Sequence, residues 1–145
     1  MASGLRGEGK RLVFTSGCFD ILHVGHVKHL QKAETFGVVL VVSINSDQSV
    51  RRQKVAGVPI NDEKHRALTI SEFESVDFVV IFDDEMPYDL IRSIRPDVVV
   101  KGGDYEGKPV SGQDLVGDMR IVDFEEGQST RMITNRIKHN EKALK

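Results

Sequence analysis

Continuous apolar segments alternate with longer amphipathic segments along this chain. The apolar segments are rich in β-branched residues, which is typical of strands buried on both faces of a parallel sheet. Five such strands are predicted, at 11–16, 38–44, 76–82, 97–101 and 120–124. The amphipathic segments repeat apolar residues at helical spacing and predict helices at 24–36, at 63–73, between 83 and 95, and from 129 onward.

Capping and breaking residues mark the ends of these elements. The predicted caps and stops are Gly37, Asn61 or Asp62, Asp83 with Asp84, Pro96 and Ser129. The segment 48–56 is predicted to be part helix and part loop, and 106–118 to be loop. Regular alternation of strand and helix predicts an α/β, Rossmann-like single domain over 1–145, with a five-stranded parallel sheet and helices on both faces. The segments 1–9 and 139–145 are expected to be flexible tails.

Composition narrows the class of partner. Among 145 residues, 39% are hydrophobic and 29% charged, with a formal net charge of −2, which favours neither nucleic acid nor a membrane surface as partner. Cys18 is the single cysteine, so an internal disulfide is excluded and a reducing compartment is expected. With no apolar stretch long enough to span a membrane and no apolar leader, the sequence predicts a cytoplasmic protein.

Polar residues gather where the predicted strands end. In open parallel α/β sheets, ligands bind outside the carboxyl ends of the strands, near the point where strand order reverses. The residues that follow the first, second, fourth and fifth strands are His23 and His26, Asn45 and Asp47, Lys101 and Asp104, and Ser129 and Thr130. The sequence therefore predicts a ligand site built from four separate loops at one rim.

The first of these loops has the chemistry of a phosphate site. His23 and His26 bracket Gly25 where a helix is predicted to begin at Val24 or Gly25. A helix N-terminus favours anions, and glycine allows a ligand to approach the backbone closely. Imidazoles in that position can donate hydrogen bonds to charge that develops on a phosphoryl group.

The segment His23-Val-Gly-His26 resembles the HxGH signature of the nucleotidyltransferase superfamily. Its flanks resemble the cytidylyltransferase-like branch, and later blocks at 45–51, 65–66, 76–77, 96–105 and 126–130 follow in the expected order. The Asn-Ser-Asp block and the Val-Lys-Gly-Gly-Asp-Tyr block are most similar to the adenylyltransferase domain of the ADP-heptose synthases. An isolated HxGH is a weak signal, whereas HxGH with these blocks in register is specific.

The resemblance implies transfer of AMP from ATP to a sugar 1-phosphate, a heptose 1-phosphate, with release of pyrophosphate and formation of an ADP-sugar. It implies in-line attack without a covalent intermediate, Mg²⁺ accompanying ATP, a homodimer and a separate sugar kinase upstream. The residues agree with that mechanism, since they supply donors for phosphate oxygens and no activated nucleophile. Cys18 is best explained as a small residue in a tight loop, and no cluster has zinc-like spacing, so no side chain is assigned to a metal.

The resemblance also assigns roles to individual positions. His23, His26 and Lys28 are predicted to be catalytic, contacting the phosphates. The predicted nucleotide-binding residues are Gly17, Cys18, Phe19, Gly25, Arg66, Lys101, Gly103, Asp104, Ser129, Thr130 and Arg131. The predicted acceptor-binding residues are Asn45, Asp47, Arg51 and Lys54.

Two positions depart from the pattern of the relatives. Arg131 stands where they usually have threonine after Ser129-Thr130, and it could either add a cation for pyrophosphate or point to solvent. Gly103 stands where many cytidylyltransferases of this branch have aspartate, and the loss of a carboxylate facing cytosine favours adenine.

Each prediction has an alternative. The chain could instead be a cytidylyltransferase acting with CTP on glycerol 3-phosphate or a similar small alcohol phosphate, or a nucleotide-binding module without turnover. The histidines could be plain helix-start residues, Ser129 a plain N-cap, and Lys28 and Arg66 exposed helix charges. Asp20 could be structural or could orient a histidine. The basic segment with Arg51, Arg52 and Lys54 could be a lid over the acceptor phosphate or an exposed loop.

Overall fold

The computed structural model describes residues 11–53, 59–84, 87–102 and 112–122. Strands and helices alternate through these segments. In chain order they are β1 (Leu12–Gly17), α1 (Val24–Glu34), β2 (Val39–Asn45), α2 (Asp47–Gln53), α3 (Glu63–Ser71), β3 (Phe78–Phe82), α4 (Tyr88–Ile94), β4 (Val98–Gly102) and β5 (Asp118–Val122), with a 3₁₀ turn at Gln113–Leu115.

The five strands form one parallel sheet in the order β3-β2-β1-β4-β5. The chain builds outward from β1 to β3, then returns to place β4 on the other side of β1. Strand order therefore reverses between β1 and β4, which is where an open α/β sheet leaves a crevice for ligand. The predicted Rossmann-like α/β fold is confirmed.

Each face of the sheet has its own apolar core. Alternate residues of β1 point to opposite faces, so Val13 packs with Leu30 of α1 and Ile70 of α3, while Phe14 packs with Ile91 of α4. Helices therefore cover both faces, as predicted. No helix in the described segments is long and apolar enough to cross a membrane.

Two aspartates at the amino edge of the sheet fix where strands begin. Asp97 Oδ2 accepts a hydrogen bond from Leu12 N at 2.8 Å, and Asp77 Oδ2 accepts one from Leu40 N at 2.8 Å. Each carboxylate satisfies an amide at the start of a neighbouring strand. Asp97 and Asp77 therefore have structural roles at the amino edge of the sheet.

The predicted role of Gly37 as a helix cap is wrong. Helix α1 ends at Glu34, and Thr35 is its C-cap in right-handed conformation. Gly37 instead allows close packing, because a Cβ there would lie 2.6 Å from Val13 Cγ2 and 2.7 Å from Arg11 O.

Element boundaries near the second half of the chain also differ from prediction. Helix α4 begins at Tyr88 with Pro87 at its N-cap, so Asp83 and Asp84 do not cap it. It ends at Ile94, and its C-cap Arg95 has a φ of 54° immediately before Pro96. Strand β5 begins at Asp118 rather than at 120, because its ladder to β4 starts there, opposite Val98. The predicted last helix and both predicted tails lie outside the described residues.

Candidate active site

The turn after β1 is shaped by a residue in a rare backbone conformation. Phe19 has a φ of 50°, in the left-handed region, and its ring is buried against His26 with ring centroids 5.4 Å apart. A Cβ at Gly17 would lie 3.0 Å from Phe19 Cε2, so glycine makes room for the ring. Residues 17–26, named here the histidine turn, thereby lead into α1, which begins at Val24 as predicted.

Both histidines of the turn are fixed by backbone amides. His23 is the N-cap of α1, and its Nδ1 accepts a hydrogen bond from Gly25 N at 3.0 Å. His26 Nδ1 accepts one from His23 N at 3.3 Å. A ring nitrogen that accepts carries no hydrogen, so each neutral imidazole carries its hydrogen on Nε2. The two rings, with centroids 4.0 Å apart, therefore present the same tautomer.

The charge state of His23 follows from the same environment. Burial lowers the pKa of His23 below its usual value, so the ring is neutral at pH 7. Protonation at Nδ1 would also remove the acceptor for the Gly25 amide. His23 is therefore a neutral Nε2–H donor, which can stabilise negative charge on a phosphate oxygen without itself changing protonation state.

The structure shows where Gly25 and Lys28 lie on α1. The Gly25 amide is used to cap the helix through His23, and the glycine itself is buried. Lys28 is exposed on α1, one residue after the first turn of that helix. Its contact with phosphate stays a prediction.

Arg66 of α3 is the largest fully buried side chain in the described residues. Its Nη1 donates to Cys18 O at 2.9 Å and to Asn45 O at 2.7 Å. Its Nε donates to Asn61 O at 3.0 Å, and Nη2 donates to Asp47 Oδ1 at 2.8 Å. Arg66 and these four acceptors are named here the arginine junction.

This geometry rules out the alternative in which Arg66 is an exposed helix charge, because its side chain is 0% exposed. Four of the five N–H groups of its guanidinium are bonded within the protein. Its contact with nucleotide stays a prediction. Arg66 is a positioning residue that ties the histidine turn to the end of β2.

The predicted acceptor ligands at the end of β2 have partners within the protein. Asn45 Nδ2 donates to Ser49 Oγ at 3.0 Å, so this amide stabilises the start of α2. Asp47 pairs with Arg66 through its carboxylate and with Glu63 Oε1 through its amide at 3.1 Å. These contacts place both residues at the predicted rim and give each a structural role there.

The basic segment after Asp47 is partly described. Arg51 and Arg52 are exposed and lie on helix α2, and Arg52 Nη2 donates to the Asp83 carbonyl. This contact holds α2 beside the end of β3. Lys54 lies outside the described residues, so the predicted lid is not tested.

Asp20 is structural, and the possibility that it orients a histidine is not supported. Its carboxylate is buried and accepts hydrogen bonds from Ile60 N at 2.7 Å and Asn61 N at 2.8 Å. Asn61 Nδ2 donates back to Asp20 O at 2.7 Å. The histidine turn is thereby attached to the segment that precedes α3.

Lys101 connects the two strands on either side of the reversal in strand order. It is 7% exposed at the end of β4, and its Nζ lies 2.5 Å from Ser16 Oγ of β1. The ammonium group therefore lies at the β1–β4 crevice, beside the histidine turn. The predicted site residues Gly103, Asp104, Ser129, Thr130 and Arg131 lie outside the described residues.

Sequence reasoning missed the polar contacts beneath the site. The Nε2 atom of buried His29 lies 2.9 Å from Thr15 Oγ1. Ser16 Oγ accepts a hydrogen bond from Lys101 Nζ. The available signal was the position of His29, three residues after His26 on the same helix. It was overlooked because a histidine on a helix gives no indication of its burial.

The described residues bring together donors and no reactive nucleophile. Two imidazoles, an ammonium group and a helix start converge at the carboxyl edge of the sheet, a donor set that suits phosphate. No group of three or more His, Cys, Asp or Glu side chains within the described ranges could hold a metal ion. The arrangement can bind a polyphosphate and stabilise charge that builds on it.

Comparison with known proteins identifies the family to which this chain belongs. Residues 14–138 match the model of the cytidylyltransferase-like family. The chain belongs to this family, and its class is that of a nucleotidyltransferase.

Individual relatives narrow the resemblance. The chain is 55% identical to the bifunctional protein HldE of Wolinella succinogenes over 94% of its own length, and 51% identical to that of Aliarcobacter butzleri over 98%. It covers 29% and 30% of those proteins, so it spans about three tenths of the curated relatives that it matches.

A solved structure gives the same fold. The lipopolysaccharide core biosynthesis protein from Thermoplasma volcanium superposes with a TM-score of 0.66 at 28% identity. The match covers 81% of this chain and 98% of that protein.

Proposed function

We propose that this chain transfers AMP from ATP to a heptose 1-phosphate, releasing pyrophosphate and forming an ADP-sugar. The observation that carries the proposal is the pair of fixed Nε2–H imidazoles at the reversal in strand order, within a cytidylyltransferase-like chain. The heptose is favoured by similarity to HldE proteins and to a lipopolysaccharide core biosynthesis protein.

The histidines act by binding and charge stabilisation. His23 and His26 donate from Nε2 to the oxygens at the α/β-phosphate bridge, where charge builds as pyrophosphate leaves. The acceptor phosphate is already ionised at neutral pH, so in-line attack needs no strong base. Lys28 and Lys101 supply positive charge to the phosphates.

Adenine is favoured over cytosine by the sequence after β4. Gly103 replaces the aspartate that many cytidylyltransferases carry, which removes a carboxylate that would face a cytosine amino group. ATP is therefore the proposed donor. Mg²⁺ is expected because it accompanies nucleoside triphosphates, and no step in this mechanism depends on it.

Partners follow from the same proposal. A kinase activity would supply the sugar 1-phosphate, and a homodimer is expected by similarity to the family. Neither nucleic acid nor membrane is proposed as a partner, and we expect the protein to act in the cytoplasm.

The proposal is tested with a panel of four nucleoside triphosphates against several sugar and alcohol phosphates, with pyrophosphate release as the readout. ATP with a heptose 1-phosphate is expected to react fastest. Turnover with CTP and glycerol 3-phosphate but not with ATP would favour the cytidylyltransferase alternative. Nucleotide binding without pyrophosphate from any pair would favour a binding module. The His26→Ala variant serves as the control for contaminating activity, and its kcat is expected to fall by about 10²-fold.

A further inference from the structure

The imidazole of His29 is buried between α1 and the sheet, outside the site described above. The residue is 4% exposed and lies three positions after His26. Its Nε2 is 2.9 Å from Thr15 Oγ1, and that hydroxyl is 2.8 Å from Val100 O. Burying a polar ring costs free energy unless the ring is hydrogen-bonded, so this contact offsets part of the cost of burying His29.

The direction of both hydrogen bonds is fixed by elementary chemistry. A hydroxyl has one hydrogen, and the Val100 carbonyl can only accept, so Thr15 Oγ1 donates to Val100 O. Thr15 must then accept from His29, which carries its hydrogen on Nε2. The chain of donors therefore runs from α1 through β1 to β4 in one direction.

This chain connects the three elements that surround the crevice. Val100 and Thr15 are paired across the reversal in strand order, and His29 attaches α1 to that pair. Leu30 and Ala33 also bury α1 against the sheet, but apolar contacts are non-directional. The hydrogen bond from His29 therefore sets the rotation and height of α1 on the sheet more sharply than the apolar contacts do.

His26 depends on that setting. Residues three apart on a helix lie on one side, so a rotation that moves the ring of His29 also moves the ring of His26. We propose that His29, through Thr15, is a positioning residue that fixes the Nε2 of His26 for the chemical step, an inference that rests on the proposed function. Misplacement of a catalytic group by a fraction of an ångström to an ångström reduces the rate and has less effect on binding.

The first test compares Thr15→Val with Thr15→Ser. Valine removes the acceptor for His29 at constant shape, whereas serine keeps the hydroxyl. Thr15→Val is expected to lower kcat by about tenfold, with the dissociation constant for ATP changed by less than about threefold. Thr15→Ser is expected to retain most of the kcat. A wild-type kcat for Thr15→Val would overturn the inference.

A second pair keeps the test informative if Thr15→Val does not fold. His29→Gln places an amide N–H that can reach Thr15, whereas His29→Leu fills similar volume without a donor. Gln is expected to preserve most of the kcat and Leu to lose about tenfold. Equal kcat values for the two variants would overturn the inference.

The decisive arm places Thr15→Val in a His26→Ala background. If His29 acts through His26, the added substitution leaves kcat unchanged there. A further tenfold loss in that background would show a general structural effect and overturn the inference alone. Absence of any effect of His26→Ala by itself would overturn the proposed function, and this inference with it.

Discussion

The histidine turn and the arginine junction lie side by side at the carboxyl edge of the sheet, and they treat their polar groups in opposite ways. The turn holds its two imidazole rings through backbone amides that donate to their Nδ1 atoms. The junction holds a charged group, Arg66, whose side chain is fully buried and bonded to the protein on three of its nitrogens. The difference teaches that a charged side chain near a candidate site can have a structural role, as Arg66 does through its hydrogen bonds within the protein.

The arginine junction and the histidine turn therefore have separate tasks. Arg66 joins the end of β1 to the end of β2, so it keeps the two loops in register. Each histidine accepts a backbone hydrogen bond at Nδ1, which fixes its orientation and the tautomer that carries the hydrogen on Nε2. Substitutions in the two regions should consequently separate stability from rate.

The largest effect is expected for Arg66→Met. Methionine leaves the Asp47 carboxylate and three carbonyl oxygens without their donor, which should cost about 3–5 kcal/mol in the free energy of unfolding. Chemical denaturation measures it. Arg120→Met is the matched control, because Arg120 pairs with Asp118 at the surface with its side chain 52% exposed, and this substitution should cost much less. Similar small losses for both variants would contradict a structural role for Arg66.

An intermediate effect is expected for Asp20→Asn, which lies between the two regions. An asparagine amide turns an NH₂ group toward one of the two backbone amides that Asp20 now accepts, at a cost of about 1–3 kcal/mol in the free energy of unfolding. Asp62→Asn is the control, because Asp62 caps α3 through His65 N, and asparagine caps as well as aspartate. Equal stability of the two variants would remove the proposed link between the turn and α3.

The smallest effect is a pH dependence at His23. Burial holds the pKa of His23 below that of the unfolded chain, near 6.5, so the unfolded state binds this proton first. The free energy of unfolding should therefore fall as the pH drops below about 6.5 and through the folded-state pKa. His23→Ser keeps an N-cap but does not titrate, and denaturation of both proteins between neutral and mildly acidic pH isolates the contribution of His23. An identical pH dependence in both proteins would show that burial of His23 has no thermodynamic consequence.

The fold could be predicted because its signals are local. The runs of valine and isoleucine between 38 and 44 and at 98–100 are typical of strands buried on both faces of a sheet. Helix α1 begins directly after His23, which is its N-cap. Boundaries that depend on distant partners could not be predicted. Asp118 starts β5 because it lies opposite Val98 in the neighbouring strand.

The location of the candidate site could be predicted from the sequence, but most hydrogen bonds among its residues could not. His23 and His26 follow from one contiguous motif, whereas burial of Arg66 depends on acceptors 21 and 48 residues away in sequence. Asp47 and Asn45 were placed correctly at the rim, but their contacts with Arg66 and Ser49 depend on how α2 and α3 pack. Polar residues at the carboxyl ends of the strands therefore predict where a site lies. The folded structure is needed to show which of them are hydrogen-bonded within the protein.

The central claim is that the Nε2–H of His26 acts on the phosphates while its Nδ1 holds the helix start. The most direct measurement is kcat for pyrophosphate release in His26→Gln and His26→Asn. A glutamine at this position can accept from the His23 amide and still present an N–H near the position of Nε2, whereas asparagine is too short to do both. We expect Gln to retain kcat within about tenfold of the wild type and Asn to lose about 10²-fold. Equal kcat in both variants, or a faster Asn variant, would contradict the account.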